Sequence, residues 1–261
     1  MNSSLLLEVA DGIATLSFNR PRVLNALDAR MLSLFRQAAE RVEADPAVRV
    51  LVIRGEGDAF AAGGDVGTFH RNLSRLPELI LQWGGEMHHG IQALRRMDKP
   101  VLASVHGACA GAGFSILCAA DLAIASREAL FSLAYAGLGT SPDGGSSYFL
   151  PRLVGQKKAM ELALLPERFD AAAALTLGLV NWVVPLEALA GETLALARRL
   201  ANGPTRAYAE TKRLVNDSAT RTLEAQMQEE LFAFARCAKT RDFAEGVGAF
   251  VEKRKPRFSG E

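Results

Sequence analysis

The chain has 261 residues, enough for one large domain or one domain with a small appendage. Half of its residues are apolar (49%) and 23% are charged, the balance of an ordinary globular protein. A net charge of +1 gives no electrostatic footprint for nucleic acid or an anionic membrane surface, and no apolar run approaches the ~18 residues that span a bilayer.

The amino-terminal residues lack the basic region and cleavage site of a signal peptide. Cys109, Cys118 and Cys237 are odd in number and lack metal-type spacing. A cytoplasmic protein with reduced thiols is therefore expected. The four histidines, His70, His88, His89 and His106, show no metal spacing either, so no metal is expected.

In chain order, residues 5–9 and 13–18 are strand-like runs separated by Ala10-Asp11-Gly12, a hairpin signal. A helix is expected from about Asp28 to Ala44, with apolar positions at Met31, Leu34, Phe35, Ala38 and Val42; Asp28 caps it and Pro46 ends it. Residues 48–53 form a buried strand. Residues 69–97 read as a helix broken by Pro77 and weakened at Gly84-Gly85.

A strand over 101–105, a glycine turn, a helix over 111–119 and a strand over 122–125 follow. Short helices extend to about Leu164, Asp170 caps a helix that Gly178 stops, and 180–184 is a last strand. Beyond Leu186 the pattern is helical, with Leu223, Met227, Leu231 and Phe234 forming one apolar stripe suited to subunit packing. Strands alternate with helices to about residue 185, so the class is α/β with a largely parallel sheet. Residues 1–200 are assigned to the α/β core and 201–261 to a helical oligomerisation region. No internal sequence repeat and no low-complexity linker is evident.

Two glycine-rich stretches organise the chemistry: Phe60-Ala61-Ala62-Gly63-Gly64-Asp65 and Gly107-Ala108-Cys109-Ala110-Gly111-Ala112-Gly113. The second joins a strand to a helix start, where the first N–H groups have no partner and the helix dipole is positive. One N–H from each stretch would hold a single developing oxyanion.

These stretches, with Asn19-Arg20-Pro21, Asn25-Ala26-Leu27, Asp121 and Phe250-Val251-Glu252-Lys253-Arg254, resemble the crotonase (enoyl-CoA hydratase/isomerase) superfamily over nearly the whole chain. The resemblance implies a spiral of ββα repeats with a C-terminal helical trimerisation region, in homo-trimers or hexamers. It implies acyl-CoA thioester substrates and a stabilised thioester enolate, with coenzyme A entering as part of the substrate and no separate cofactor.

By the same resemblance, Gly64 and Ala112 supply the oxyanion-hole N–H groups, and the Ala62 carbonyl reads the adenine amino group. Lys253 and Arg22 lie near the CoA phosphates, while Asp65 and Tyr135 join the substrate-binding set. Gly67 stands where a hydratase has lysine. The two catalytic glutamates of a hydratase fall at Ser115 and Tyr135, neither a carboxylate. Asp143, in Pro142-Asp143-Gly144-Gly145, stands where many hydratases have glycine.

Read alone, Pro-Asp-Gly is an ordinary turn. Within the resemblance, Asp143 is the expected general acid and base of an enoyl-CoA isomerase that takes a proton from C2 and returns one to C4. A hydratase is the alternative. Lesser alternatives are an aryl-CoA dehalogenase, whose branch resembles this chain in the twelve-residue spacing of His88 from Pro100 and in an aspartate at the Asp143 position but would need large rings at Gly64 and Tyr135, and a catalytically silent acyl-CoA-binding homologue.

Overall fold

The computed structural model describes residues 3–261. Strands β1 (Leu5–Ala10) and β2 (Ile13–Phe18) pair antiparallel. Asp11 and Gly12 close the hairpin with φ of 52° and 75°, the left-handed pair that a two-residue turn between right-twisted strands demands. Helix α1 (Ala29–Ala44) starts where the Asp28 carboxylate accepts the Met31 N–H at 2.8 Å. Its stripe of Met31, Phe35, Ala38 and Val42 is buried, the one-sided pattern of a helix lying on a core.

The strand–strand–helix unit then recurs. Strands β3 (Val50–Gly55) and β4 (Ala59–Ala61) lead into α2 (Val66–Arg71) and α3 (Leu76–Arg96). Strands β5 (Val101–Val105) and β6 (Ala108–Ala110) lead into α4 (Ala112–Ala119). Strands β7 (Leu122–Ser126) and β8 (Leu130–Ser132) lead into α5 (Ser146–Val154) and α6 (Gln156–Leu164). Short β9 (Phe169–Asp170), α7 (Ala171–Thr176) and β10 (Trp182–Val184) close the α/β part, and α8 (Leu186–Ala201), α9 (Thr205–Ser218), α10 (Leu223–Cys237) and α11 (Arg241–Val251) complete the chain.

Each of these units gives its first strand to a six-stranded sheet, ordered β1-β2-β3-β5-β7-β10, and its second to a four-stranded sheet, ordered β4-β6-β8-β9. Pairing from β2 to β10 is parallel, as is pairing from β4 to β8. This is the expected spiral of ββα units. The units begin at residues 50, 101 and 122, so unequal helix insertions erase any period from the sequence.

Two expectations need correction. The break expected at Pro77 is present but lies just before it: α2 ends at Arg71, Leu73–Arg75 form a single 3-10 turn, and Pro77 sits in the first turn of α3, where its missing N–H costs nothing. The helix then runs unbroken through Gly84-Gly85. The last strand is also shorter than 180–184, because Leu179 and Val180 are spent on core packing before Trp182 joins the sheet.

All five residues of β5 and all eight of α4 are buried. A helix apolar on every side belongs inside a core, so α4 presents its first turn to an apolar interior. On the other side of the sheet, Leu189, Ala197 and Ala201 of α8 cover Ile13, Val50, Val52, Leu102 and Ile124. Asp121 ties the layers together: its carboxylate accepts the Val101 N–H at 2.8 Å and the Lys212 ammonium of α9 at 2.8 Å. In α10 the stripe of Leu223, Met227, Leu231 and Phe234 is exposed in the single chain. Among the described residues, no helix is long and apolar enough to cross a membrane.

Candidate active site

The two glycine-rich stretches meet. A Cβ on Gly111 would lie 3.4 Å from the Gly63 Cα, so the backbones directly before Gly64 and Ala112 pass with room for little more than a methyl between them. Gly113 has to be glycine, because a Cβ there would collide with the Ala61 carbonyl oxygen. That absence lets α4 start against the end of β4. Ala112 is the first residue of α4, so its N–H has no acceptor within the helix. Among the described residues, no backbone carbonyl outside the helices and strands accepts the N–H of Gly64 or Ala112.

The asparagine–arginine motif explains how the first donor is held. Leu27 donates its N–H to the Gly63 carbonyl at 2.7 Å and accepts the Asp65 N–H at 2.9 Å, bracketing Gly64. Asn25, fully buried, accepts the Arg20 N–H at 2.8 Å and donates to the carbonyls of Glu56 and Ala59 at 2.9 and 2.7 Å. Arg20 pairs with Asp65 at 2.9 Å and with Asp28 at 3.4 Å.

Asp65 faces the protein through both carboxylate oxygens. One takes Arg20, and the other caps α2 by accepting the Thr68 N–H at 2.9 Å. Burial works against its charge, yet the Thr68 N–H and the Arg20 guanidinium outweigh it and hold its carboxyl below the usual range. The Phe69 ring fills the space a side chain at Gly64 would need, with a ring carbon 2.6 Å from a Cβ built there. It stacks on Trp83 of α3 at 6.3 Å between centroids.

Asp143 reaches this region through its main chain. Its carbonyl accepts the Ser115 hydroxyl at 2.7 Å, the Ser146 hydroxyl at 2.9 Å and the Tyr135 hydroxyl at 3.3 Å. Ser115 lies one turn into α4 from Ala112, and its own hydroxyl and that of Tyr135 are 2.9 Å apart. Burial pushes the Tyr135 phenol up to about 12. The turn itself is enforced by Gly144 at φ +62°, where a Cβ would also strike the Met87 side chain.

The Asp143 carboxylate is not deeply enclosed: its side chain is 41% exposed in the single chain. Its Oδ1 meets His88 Nε2 at 2.6 Å and accepts the Gly144 N–H at 2.6 Å. Helix α3 thus brings His88 to Asp143 across 55 positions.

Of the residues named from the sequence, Gly64, Ala112, Asp65, Tyr135 and Asp143 fall within this one region. Ala62 stands at the rim, half-buried, its N–H donated to the Leu24 carbonyl at 3.0 Å. Arg22 is exposed just before that loop. Lys253 is exposed after α11, and no contact among the described residues joins it to Gly64, Ala112 or Asp143. Sequence reasoning missed Arg20, Phe69, Trp83 and Gly84 as parts of the site. It placed His88 only by its spacing from Pro100, and the contact with Asp143 was not foreseen.

A spiral of ββα units with two glycine-rich stretches meeting at the ends of β4 and β6 is the arrangement of a crotonase-type fold. The chain belongs to the enoyl-CoA hydratase/isomerase family, whose model matches residues 8–261. It is 35% identical to a 1,2-epoxyphenylacetyl-CoA isomerase of Escherichia coli, with the whole of both chains covered. It is 35% identical to a crotonyl-CoA hydratase of Syntrophomonas wolfei, covering 98% of this chain and 97% of that one. It is 32% identical to a 4-chlorobenzoyl coenzyme A dehalogenase of Arthrobacter, covering 94% and 90%. The solved structure of an enoyl-CoA hydratase from Polaromonas matches with a TM-score of 0.93 at 34% identity, covering 97% of this chain and 99% of that one.

Proposed function

We propose that this enzyme is an enoyl-CoA isomerase that shifts a C=C bond of an unsaturated acyl-CoA through a dienolate. The thioester oxygen sits on the Gly64 and Ala112 N–H groups, and Asp143 removes a proton from C2 and returns it at C4. One carboxylate on one face suffices for both transfers while the oxyanion hole holds the charge between them. The observation that carries this reading is the anchoring of the Asp143 main chain to Ser115, a residue one helical turn along α4 from Ala112. The Ala62 carbonyl is assigned to the adenine, and Arg22 and Lys253 to the CoA phosphates. Trimers or hexamers packed through α10 are the assembly that goes with it.

Hydration is the weaker alternative, since the hydroxyls of Ser115 and Tyr135 bind each other and the Asp143 carbonyl. One observation favours a second reading, aryl-CoA dehalogenation: His88 touches Asp143, and the Phe69 ring stands against Gly64, supplying an aromatic wall there. Asp143 would then attack the ring carbon and expel halide, and His88 would direct water onto the aryl ester.

Purified protein given 3-hexenoyl-CoA and 4-chlorobenzoyl-CoA separates the readings. The isomerase converts the first to the conjugated 2-enoyl thioester and leaves the second intact. Chloride release without isomerisation establishes the second reading instead.

A further inference from the structure

Two adjacent glycines in the middle of a 21-residue helix are costly, because each lowers helix propensity against alanine. The two differ in what surrounds them. A Cβ at Gly85 would meet nothing within 4 Å, whereas a Cβ at Gly84 would lie 3.7 Å from Oδ2 of Asp143. His88, one turn further along α3, holds Oδ1 at 2.6 Å, and the Gly144 N–H holds the same oxygen. Asp143 therefore has one oxygen tied by two neighbours. Among the described residues, the other oxygen accepts no side-chain hydrogen bond and faces a position with no side chain.

We propose that His88 and Gly84 together set which oxygen of Asp143 does the chemistry. His88 is a positioning residue that fixes Oδ1 and so presents Oδ2 as the proton-accepting atom. Gly84 is the clearance that lets the acyl C2 reach Oδ2. A reacting carbon has to come within about 3–3.5 Å of the base, and a methyl already 3.7 Å from Oδ2 competes for that approach. This rests on Asp143 being the base.

The test compares Gly84→Ala, Gly85→Ala, His88→Ala, His88→Gln and Asp143→Asn, with 3-hexenoyl-CoA in D2O as the probe and deuterium entry at C2 as the readout. Gly84→Ala and Gly85→Ala should both melt no lower than the parent. Gly85→Ala should keep the parent rate, while Gly84→Ala should lose about 10-fold or more in kcat with little change in KM. His88→Ala should lose kcat by about 10-fold, and His88→Gln, which still offers an N–H to Oδ1, should recover most of it.

Full activity in Gly84→Ala, or equal losses in the two glycine variants, overturns the proposal, the second result pointing to helix stiffness instead. An inactive Asp143→Asn beside a fully active Gly84→Ala removes this inference and leaves the isomerase reading standing. Full C2 exchange in Asp143→Asn overturns both.

Discussion

The Ser115 hydroxyl donates to the main-chain carbonyl of Asp143 at 2.7 Å, from a position with no solvent exposure. A hydratase would carry a catalytic glutamate at this position; here the side chain fixes the loop that carries a different carboxylate. Crotonyl-CoA hydration should therefore run about 10²–10⁴-fold below a two-carboxylate hydratase. Restoring the glutamate should not restore the activity. A Cβ at Gly144 would already lie 2.9 Å from the Ser115 Cβ, so Ser115→Glu buries an unpaired charge in a filled space and should destabilise by about 2 kcal/mol or more. Urea denaturation and the hydration assay check both halves, and a stable Ser115→Glu variant with high hydratase activity contradicts them.

Tyr135 makes an alkaline prediction. A free phenol titrates near ~10, and burial raises this one to about 12. The unfolded chain thus loses its proton first. The stability held in the protonated phenol is complete below pH ~10 and drains away through pH ~12, by at most about 3 kcal/mol. Burial raises the thiols of Cys109 and Cys118 too, which adds loss in the same direction. Melting curves between pH 8 and 11 should fall more shallowly for Tyr135→Phe than for the parent. Parallel curves would show that this phenol is not the group responsible.

The Arg20–Asp65 pair predicts an acid effect and a catalytic one. The Asp65 carboxyl is held below its usual range, so its contribution is complete above pH ~4 and is lost as pH falls through its folded value. Asp65→Asn should cost about 1.5–3 kcal/mol, the scale of a hydrogen bond to a charged group. Because Asp65 and Leu27 bracket Gly64, it should also slow turnover by about 10-fold or more through a misplaced oxyanion donor. Unchanged turnover would make the pair a purely structural clasp.

The exposed stripe of α10 predicts assembly. Leu231 is 62% exposed and Phe234 66% exposed in the single chain, an apolar surface that calls for cover. Leu231→Lys should dissociate the expected trimer or hexamer, since burying an unpaired ammonium is costly. Light scattering reads the result, and a parent protein that is monomeric at micromolar concentration contradicts the expectation.

The ease of reading differed by residue. Asp28, Asp170 and the Ala10-Asp11-Gly12 turn announced themselves because capping and turn chemistry is local. The meeting of the two glycine-rich stretches was legible because close backbone approach at a strand-to-helix junction needs only small residues. Pro77 marked a real break, shifted a few residues earlier because proline opens a helix more readily than it ends one, whereas Gly84-Gly85 misled, since local propensity argues for weakness there while the packing of α3 against α1 overrides it. The contact of His88 with Asp143 spans 55 positions, and the Phe69–Trp83 stack depends on how α2 meets α3. No periodicity in the chain encodes either.

The proposed isomerase depends on Asp143 as the base beside the oxyanion hole. The most direct test is C2 hydrogen–deuterium exchange of 3-hexenoyl-CoA by Asp143→Asn, with CoA-ester affinity and melting temperature measured on the same sample. The variant should fold, bind the thioester normally and exchange C2 about 10²-fold or more slowly than the parent. An Asn variant that keeps most of its exchange would contradict this and return Asp143 to the role of a turn residue.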